Sequence, residues 1–209
     1  MRTATVNYEV FKYNELDEYA KEKVKQWYLD GQESYIFTSD CKEDLYNLFG
    51  ENDLDVQYSL NYCQGDGFNI YGKIDAKSIF KCLENHNGGT QLAKFEDVLT
   101  EKEKKTILHY ADECGKIEIP MNNRYCYSLA DYIDIEEDWA YDLEVYSGYK
   151  NINVEALEKF EKLVRDIFTT LCKMYEEWGY NYFYEIDEED LAEICEANDY
   201  EFLEDGTVF

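Results

Sequence analysis

Val56-Gln57-Tyr58-Ser59-Leu60-Asn61-Tyr62-Cys63 is joined to Phe68-Asn69-Ile70-Tyr71-Gly72 by Gln64-Gly65-Asp66-Gly67, and this run decides the fold. Both flanks alternate with period two, the repeat of strands whose side chains point to opposite faces. The connection sets two glycines around an aspartate and so supplies the positive φ that a tight reversal needs. The stretch predicts an antiparallel hairpin at 56–72.

Upstream, Thr3 to Tyr13 alternates well enough for a strand. Asn14 then stands where a helix cap belongs, and Leu16, Ala20, Val24, Trp27 and Tyr28 follow at helical spacing until Gly31. Asp40 with Glu43 has the form of a capping box, opening a short helix that carries Leu45, Leu48 and Phe49 and stops at Gly50.

Downstream, Asp75 is placed to cap a helix with Ile79, Phe80 and Leu83, and Thr100 with Glu103 forms a second capping box for a helix ending at Gly115. Lys116 to Ile119 and Arg124 to Ile135 read as strands around the turn Pro120-Met121-Asn122-Asn123. The apolar stripe from Val154 through Leu157, Phe160, Val164, Ile167, Phe168, Leu171 and Tyr175 to Trp178 predicts a long amphipathic helix near 154–178. A last helix is expected over Asp187 to Asn198, with Tyr200-Glu201-Phe202 returning as an edge strand. Strands joined by hairpins, interspersed with helices and without βαβ periodicity, predict an α+β fold with a largely antiparallel sheet. The length of 209 residues suits a single acidic domain, 1–209.

The balance of 20 basic against 47 acidic residues gives a formal charge of −27. A surface this negative repels phosphate backbones and anionic membranes, which excludes direct nucleic-acid and lipid binding and points to basic partners. Disorder is not expected, because 45% of the residues are hydrophobic and 17% aromatic. The seven cysteines are odd in number and never spaced C-x-x-C, so neither a disulfide framework nor a zinc site fits. With no signal-peptide pattern and no apolar run of membrane-spanning length, a reduced, cytoplasmic setting is expected.

The charge is uneven: residues 1–124 carry net −8 and the acidic half, 125–209, net −19. Two tracts stand out. Asp131 to Glu144, read as a loop and strand end, holds Asp131, Asp134, Glu136, Glu137, Asp138, Asp142 and Glu144 with no cation. Beyond Lys173 no Lys or Arg occurs, while 13 acids follow, among them Glu185, Glu188, Glu189, Glu193 and Glu196. Acids in the first turn of a helix complement its dipole, but Glu193 and Glu196 approach the negative end beside like charges. Helical neighbours lie about 5–6 Å apart, while each strand of a duplex presents one phosphate charge per ~3.4 Å of axis. Carboxylates so arranged are candidates for imitating a phosphate track. The candidate partner-binding residues are Asp134, Glu136, Glu137, Asp138, Asp142, Glu144, Glu185, Glu188, Glu189, Glu193 and Glu196. Tyr132, Trp139, Tyr141, Tyr146, Tyr149, Tyr180, Tyr182 and Tyr184 lie among the acids, with only a minority expected to touch a partner.

Three stretches carry a resemblance. Tyr13-Asn14-Glu15-Leu16 leading to Trp27-Tyr28, Tyr58-Ser59-Leu60 with Gln64-Gly65-Asp66-Gly67, and Glu196-Ala197-Asn198-Asp199-Tyr200-Glu201-Phe202 with Glu204-Asp205-Gly206 resemble a widespread set of small acidic phage and prophage proteins. That resemblance implies an origin in a mobile element. By setting and charge it also implies an inhibitor of the antirestriction or anti-CRISPR type, acting in the host cytosol on a basic nucleic-acid-binding protein such as a restriction enzyme or CRISPR effector.

An enzymatic alternative is a small Mg²⁺-dependent nuclease in which Asp66 and Asp75 hold the ion and Lys77 aids phosphodiester attack. It fits poorly with the charge and with Asp75 as a helix cap. Of the two histidines, His86 lies in a polar turn and His109 beside an apolar stripe, and no nucleophile, metal or phosphate-loop motif appears. A non-enzymatic protein without metal or cofactor is expected. A third reading is an acidic regulatory binding module whose charge serves solubility.

Overall fold

The computed structural model describes residues 7–85, 91–121 and 125–209. The hairpin at its centre is formed by β1 (Asp53–Ser59) and β2 (Gly67–Ile74), antiparallel, with Val56 opposite Ile70 and Tyr58 opposite Phe68. β3 (Ile117–Ile119) adds to the other edge of β2, also antiparallel, giving the order β1-β2-β3. Around the strands the chain forms α1 (Glu18–Asp30), α2 (Ser34–Phe49), α3 (Ala76–Asn85), α4 (Glu101–Cys114), α5 (Glu136–Val145), α6 (Val154–Tyr184) and α7 (Glu188–Ala197). The fold is α+β with an antiparallel sheet. It divides into two compact units, one of residues 35–177 and one of residues up to 34 together with 178–209.

The larger unit is organised by the sheet and by α6. Leu157, Phe160, Val164, Ile167, Phe168, Leu171 and Tyr175 of the expected stripe are buried, as is Ala156 beside it, whereas Val154 at its start is exposed and Trp178 at its end is half-buried. Its rings interlock with neighbours: Phe49 stacks on Phe168 with centroids 5.6 Å apart, and Phe80 and Trp139 meet Phe160 at 5.4 and 6.0 Å. Asn69 is the one side chain of β2 that is both polar and fully buried. Its amide accounts for this, donating to the carbonyl of Pro120 at 3.1 Å and accepting from the N–H of Leu129 at 2.9 Å. The smaller unit is held by Tyr13, Leu16, Ala20, Val24, Leu191, Cys195 and Phe202, a core assembled from the two ends of the described chain.

Several expectations are corrected. The predicted strand Thr3 to Tyr13 falls partly outside the described residues. Within them it reduces to one bridge between Phe11 and Phe202, followed by a short 3-10 turn at Tyr13–Glu15. The expected edge strand Tyr200 to Phe202 is likewise reduced to single bridges, from Phe202 to Phe11 and to Val208. The cap of α1 is Asp17, which accepts from Ala20 N at 2.8 Å, rather than Asn14. α2 starts at Ser34 and leaves Asp40 in mid-helix. Of the predicted strand from Arg124 to Ile135, the described residues 125–135 form a loop with a 3-10 turn at Ala130–Tyr132, where Leu129 gives its N–H to the side chain of Asn69 instead of a ladder. Residues 122–124 and His86 lie outside the described residues. Among the described residues no helix is long and apolar enough to cross a membrane.

Candidate partner-binding surface

The first acidic tract folds as α5, where the sequence suggested a loop and strand end. Only Trp139 and Leu143 of this helix are buried, and its five acids dilute the apolar signal, so its period was hidden. Its start is fixed from another element. Ile135, at the cap position, has no side chain able to accept a hydrogen bond. Glu161 of α6 does the work instead: its Oε2 accepts from the backbone N–H groups of Ile135 and Glu136 at 2.8 and 2.9 Å. Arg165 holds Glu161 at 2.7 Å and also donates to the carbonyl of Ile133. Asp134 adds a weaker cap, accepting from Glu137 N at 3.3 Å.

With its inner face fixed by Trp139 and Leu143, α5 turns Glu137, Asp138 and Glu144 to solvent. None of Asp134, Glu136, Glu137, Asp138, Asp142 and Glu144 is in an ion pair among the described residues. Glu136, Glu137 and Asp138 sit in the first turn, where the dipole favours them, whereas Asp142 and Glu144 lie toward the negative end with no basic residue in the last turn. Partial burial and crowding both act on these acids. Glu136 is pushed above the usual carboxylate range by partial burial and by Glu158, Glu161, Asp134 and Glu137. Asp138 is pushed up by partial burial and by Asp134, Asp142, Glu118 and Glu161. A recess of about 340 Å³ beside the helix is lined by Asp134, Glu137, Asp138, Trp139, Tyr141 and Asp142, with Cys114, Lys116, Ile117 and Glu118 opposite. Glu118 belongs to this surface and was missed. The only signal for it was the outward position of the middle residue in Ile117-Glu118-Ile119.

The second tract is different. α7 starts after Asp187 and displays Glu189, Glu193 and Glu196 to solvent, with Glu185 just before it. Glu188, however, is paired with Lys21 of α1 at 2.7 Å. Nearby, Lys12 pairs with Asp199 at 2.7 Å and Glu201 at 3.5 Å, and Lys23 with Asp205 at 2.7 Å. The segment is free of cations in sequence, yet its unit supplies them from the chain's beginning. The two tracts fall in different units, so each stands as a surface of its own.

The nuclease constellation does not assemble. Asp66 precedes β2 and Asp75 follows it, which separates them by the length of the strand, about 30 Å at the usual rise per residue. Asp66 is instead the organiser of the hairpin's end. Its carboxylate accepts from Ser59 Oγ at 2.8 Å, from the N–H groups of Asn61 and Cys63 at 2.6 and 2.9 Å, and from the Cys63 thiol at 3.1 Å. These donors hold it well below the usual range of an aspartate. Its glycine neighbours allow close packing, since a Cβ on Gly65 would meet the Tyr125 ring at 2.9 Å and one on Gly67 the Cα of Tyr127 at 2.8 Å. Lys77 pairs with Asp112 at 2.9 Å.

The remaining reactive side chains have structural partners. His109 Nε2 lies 2.7 Å from the hydroxyl of Tyr149. Burial pushes the thiols of Cys41 and Cys82 up to about 12, and the exposed Cys63 donates its S–H to Asp66. Among the described residues no group of three His, Cys, Asp or Glu side chains is placed to hold a metal ion.

Comparison with protein-family models, with curated proteins and with solved structures finds no match.

Proposed function

We propose that the protein is a non-enzymatic inhibitor of mobile-element type, which binds a basic nucleic-acid-binding enzyme of the host, a defence nuclease, through the acidic surface of α5. One observation carries the reading: Asp134, Glu136, Glu137, Asp138, Asp142 and Glu144 gather on and around one helix without a paired cation among the described residues, and two of them, Glu136 and Asp138, are pushed up in pKa by partial burial and then by neighbouring carboxylates. Stability alone would place Lys or Arg near the end of such a helix. A surface that accepts this cost gains when a basic cleft supplies the missing charge and both partners release counterions. Helical neighbours about 5–6 Å apart present a row of negative charge to the cations of a cleft that otherwise meets phosphates.

The test is displacement of DNA from a purified basic nuclease, followed as the loss of cleavage at low and high salt. The charge reversal Glu137→Lys, Asp138→Lys, Asp142→Lys should abolish inhibition. The same treatment of α7 at Glu189, Glu193 and Glu196 should leave most of it. Inhibition that survives neutralising α5, or that ignores salt, would show that electrostatic imitation is wrong.

A further inference from the structure

The solvent face of α5 carries more than charge. Tyr141 is 57% exposed, Val145 52% and Tyr146 75%. Glu137, Tyr141 and Val145 follow one another at i, i+4 and i+8, so they share one side of the helix. The ring of Tyr146 meets that of Tyr141 edge-on, with centroids 6.0 Å apart and planes at 80°. Trp139, the other aromatic residue of the helix, is in the core. Two tyrosines pointing to water among carboxylates without ion pairs make a helix face with no partner among the described residues of its unit. Solubility accounts for the acids and leaves the rings unexplained.

The two features together select one kind of cation. A lysine ammonium is a compact, strongly hydrated charge that gains only Coulomb attraction from carboxylates. An arginine guanidinium is planar and weakly hydrated. It stacks on a tyrosine ring with one face while its forked N–H groups donate in pairs to a carboxylate at the rim. We propose that this face of α5 is a docking surface for an arginine-presenting segment of a protein partner, with Tyr141 and Tyr146 as the stacking platform and Glu137, Asp138 and Asp142 as the acceptors. The proposal rests on the reading that α5 binds a basic protein, and it adds which basic side chain is read and by what.

The experiment uses the full chain with labelled octa-arginine and octa-lysine peptides as probes, followed by fluorescence anisotropy. Wild-type protein should bind octa-arginine about fivefold more tightly than octa-lysine, the ratio that one exposed stacking contact supplies. Tyr141→Ala with Tyr146→Ala should bring that ratio close to one. Tyr141→Phe with Tyr146→Phe, which keeps both rings, should preserve it. Circular dichroism and thermal melts of each variant check that α5 stays folded. Equal affinity of the wild type for the two peptides, or a ratio indifferent to removal of the rings, overturns the proposal. Loss of the ratio on carboxamide replacement of Glu189, Glu193 and Glu196 would also overturn it, by placing the preference on α7. Failure of the underlying reading has a separate signature: carboxamide variants at Glu137, Asp138 and Asp142 that bind both peptides as tightly as the wild type.

Discussion

The carboxylates of Glu136 and Asp138 are charged at a cost, and the sign of that cost follows from their raised pKa values. Below the ordinary carboxylate range of about 4 both folded and unfolded chains are protonated there, and no penalty exists. As pH rises from the ordinary value toward the raised folded values the unfolded chain ionises while the native state holds its protons, so stability falls across that window and stays lower at neutral pH. Glu136→Gln with Asp138→Asn should therefore raise Tm at pH 7, with the gain vanishing as the pH approaches 4, in thermal melts across that range. Glu103 has the opposite sign. Held at about 2 by Lys159 and by the capping box with Thr100, it stabilises fully above the ordinary range and loses that contribution as pH falls toward 2. The capping box was legible because its two members sit three residues apart. The role of Asp66 was legible only as a turn residue, since the donors to its carboxylate, Ser59, Asn61 and Cys63, are brought around it only when the preceding chain folds back.

At the scale of the element, local periodicity decided what the sequence could reveal. The hairpin and α6 repeat their apolar residues over many positions, so one misplaced residue does not blur them. α5 has two buried side chains in ten residues, and its N-terminal partner is a glutamate twenty-five residues away on α6, so neither its existence nor its start was visible. That dependence is testable. Glu161→Ala removes the acceptor for two backbone N–H groups at a helix start and should cost about 1–2 kcal/mol. Urea unfolding would measure the loss, and amide exchange should show it concentrated in the first turn of α5. The lost cap would also loosen the surface on which the acidic and aromatic side chains stand, so binding should weaken in the same variant.

Across the whole molecule the formal charge of −27 works against compaction. Raising the salt from about 20 mM to several hundred millimolar shortens the reach of that repulsion to a few ångströms. Tm should rise with salt by several degrees while affinity for any basic partner falls, and parallel melts and binding titrations would show the two moving in opposite directions. The charge total was plain from the sequence; its partition was not, because Lys12, Lys21 and Lys23 neutralise acids that lie more than 150 residues further along the chain. The same long reach governs how the smaller unit comes into being. Ala20 and Val24 find their buried partners in Leu191, Cys195 and Phe202. On the ribosome α1 is made before its partners, so its apolar side stays uncovered and open to chaperones until α7 and Phe202 emerge. A chain that stops short of Phe202 leaves that side bare, and cellular proteases then have a ready means of removing incomplete copies.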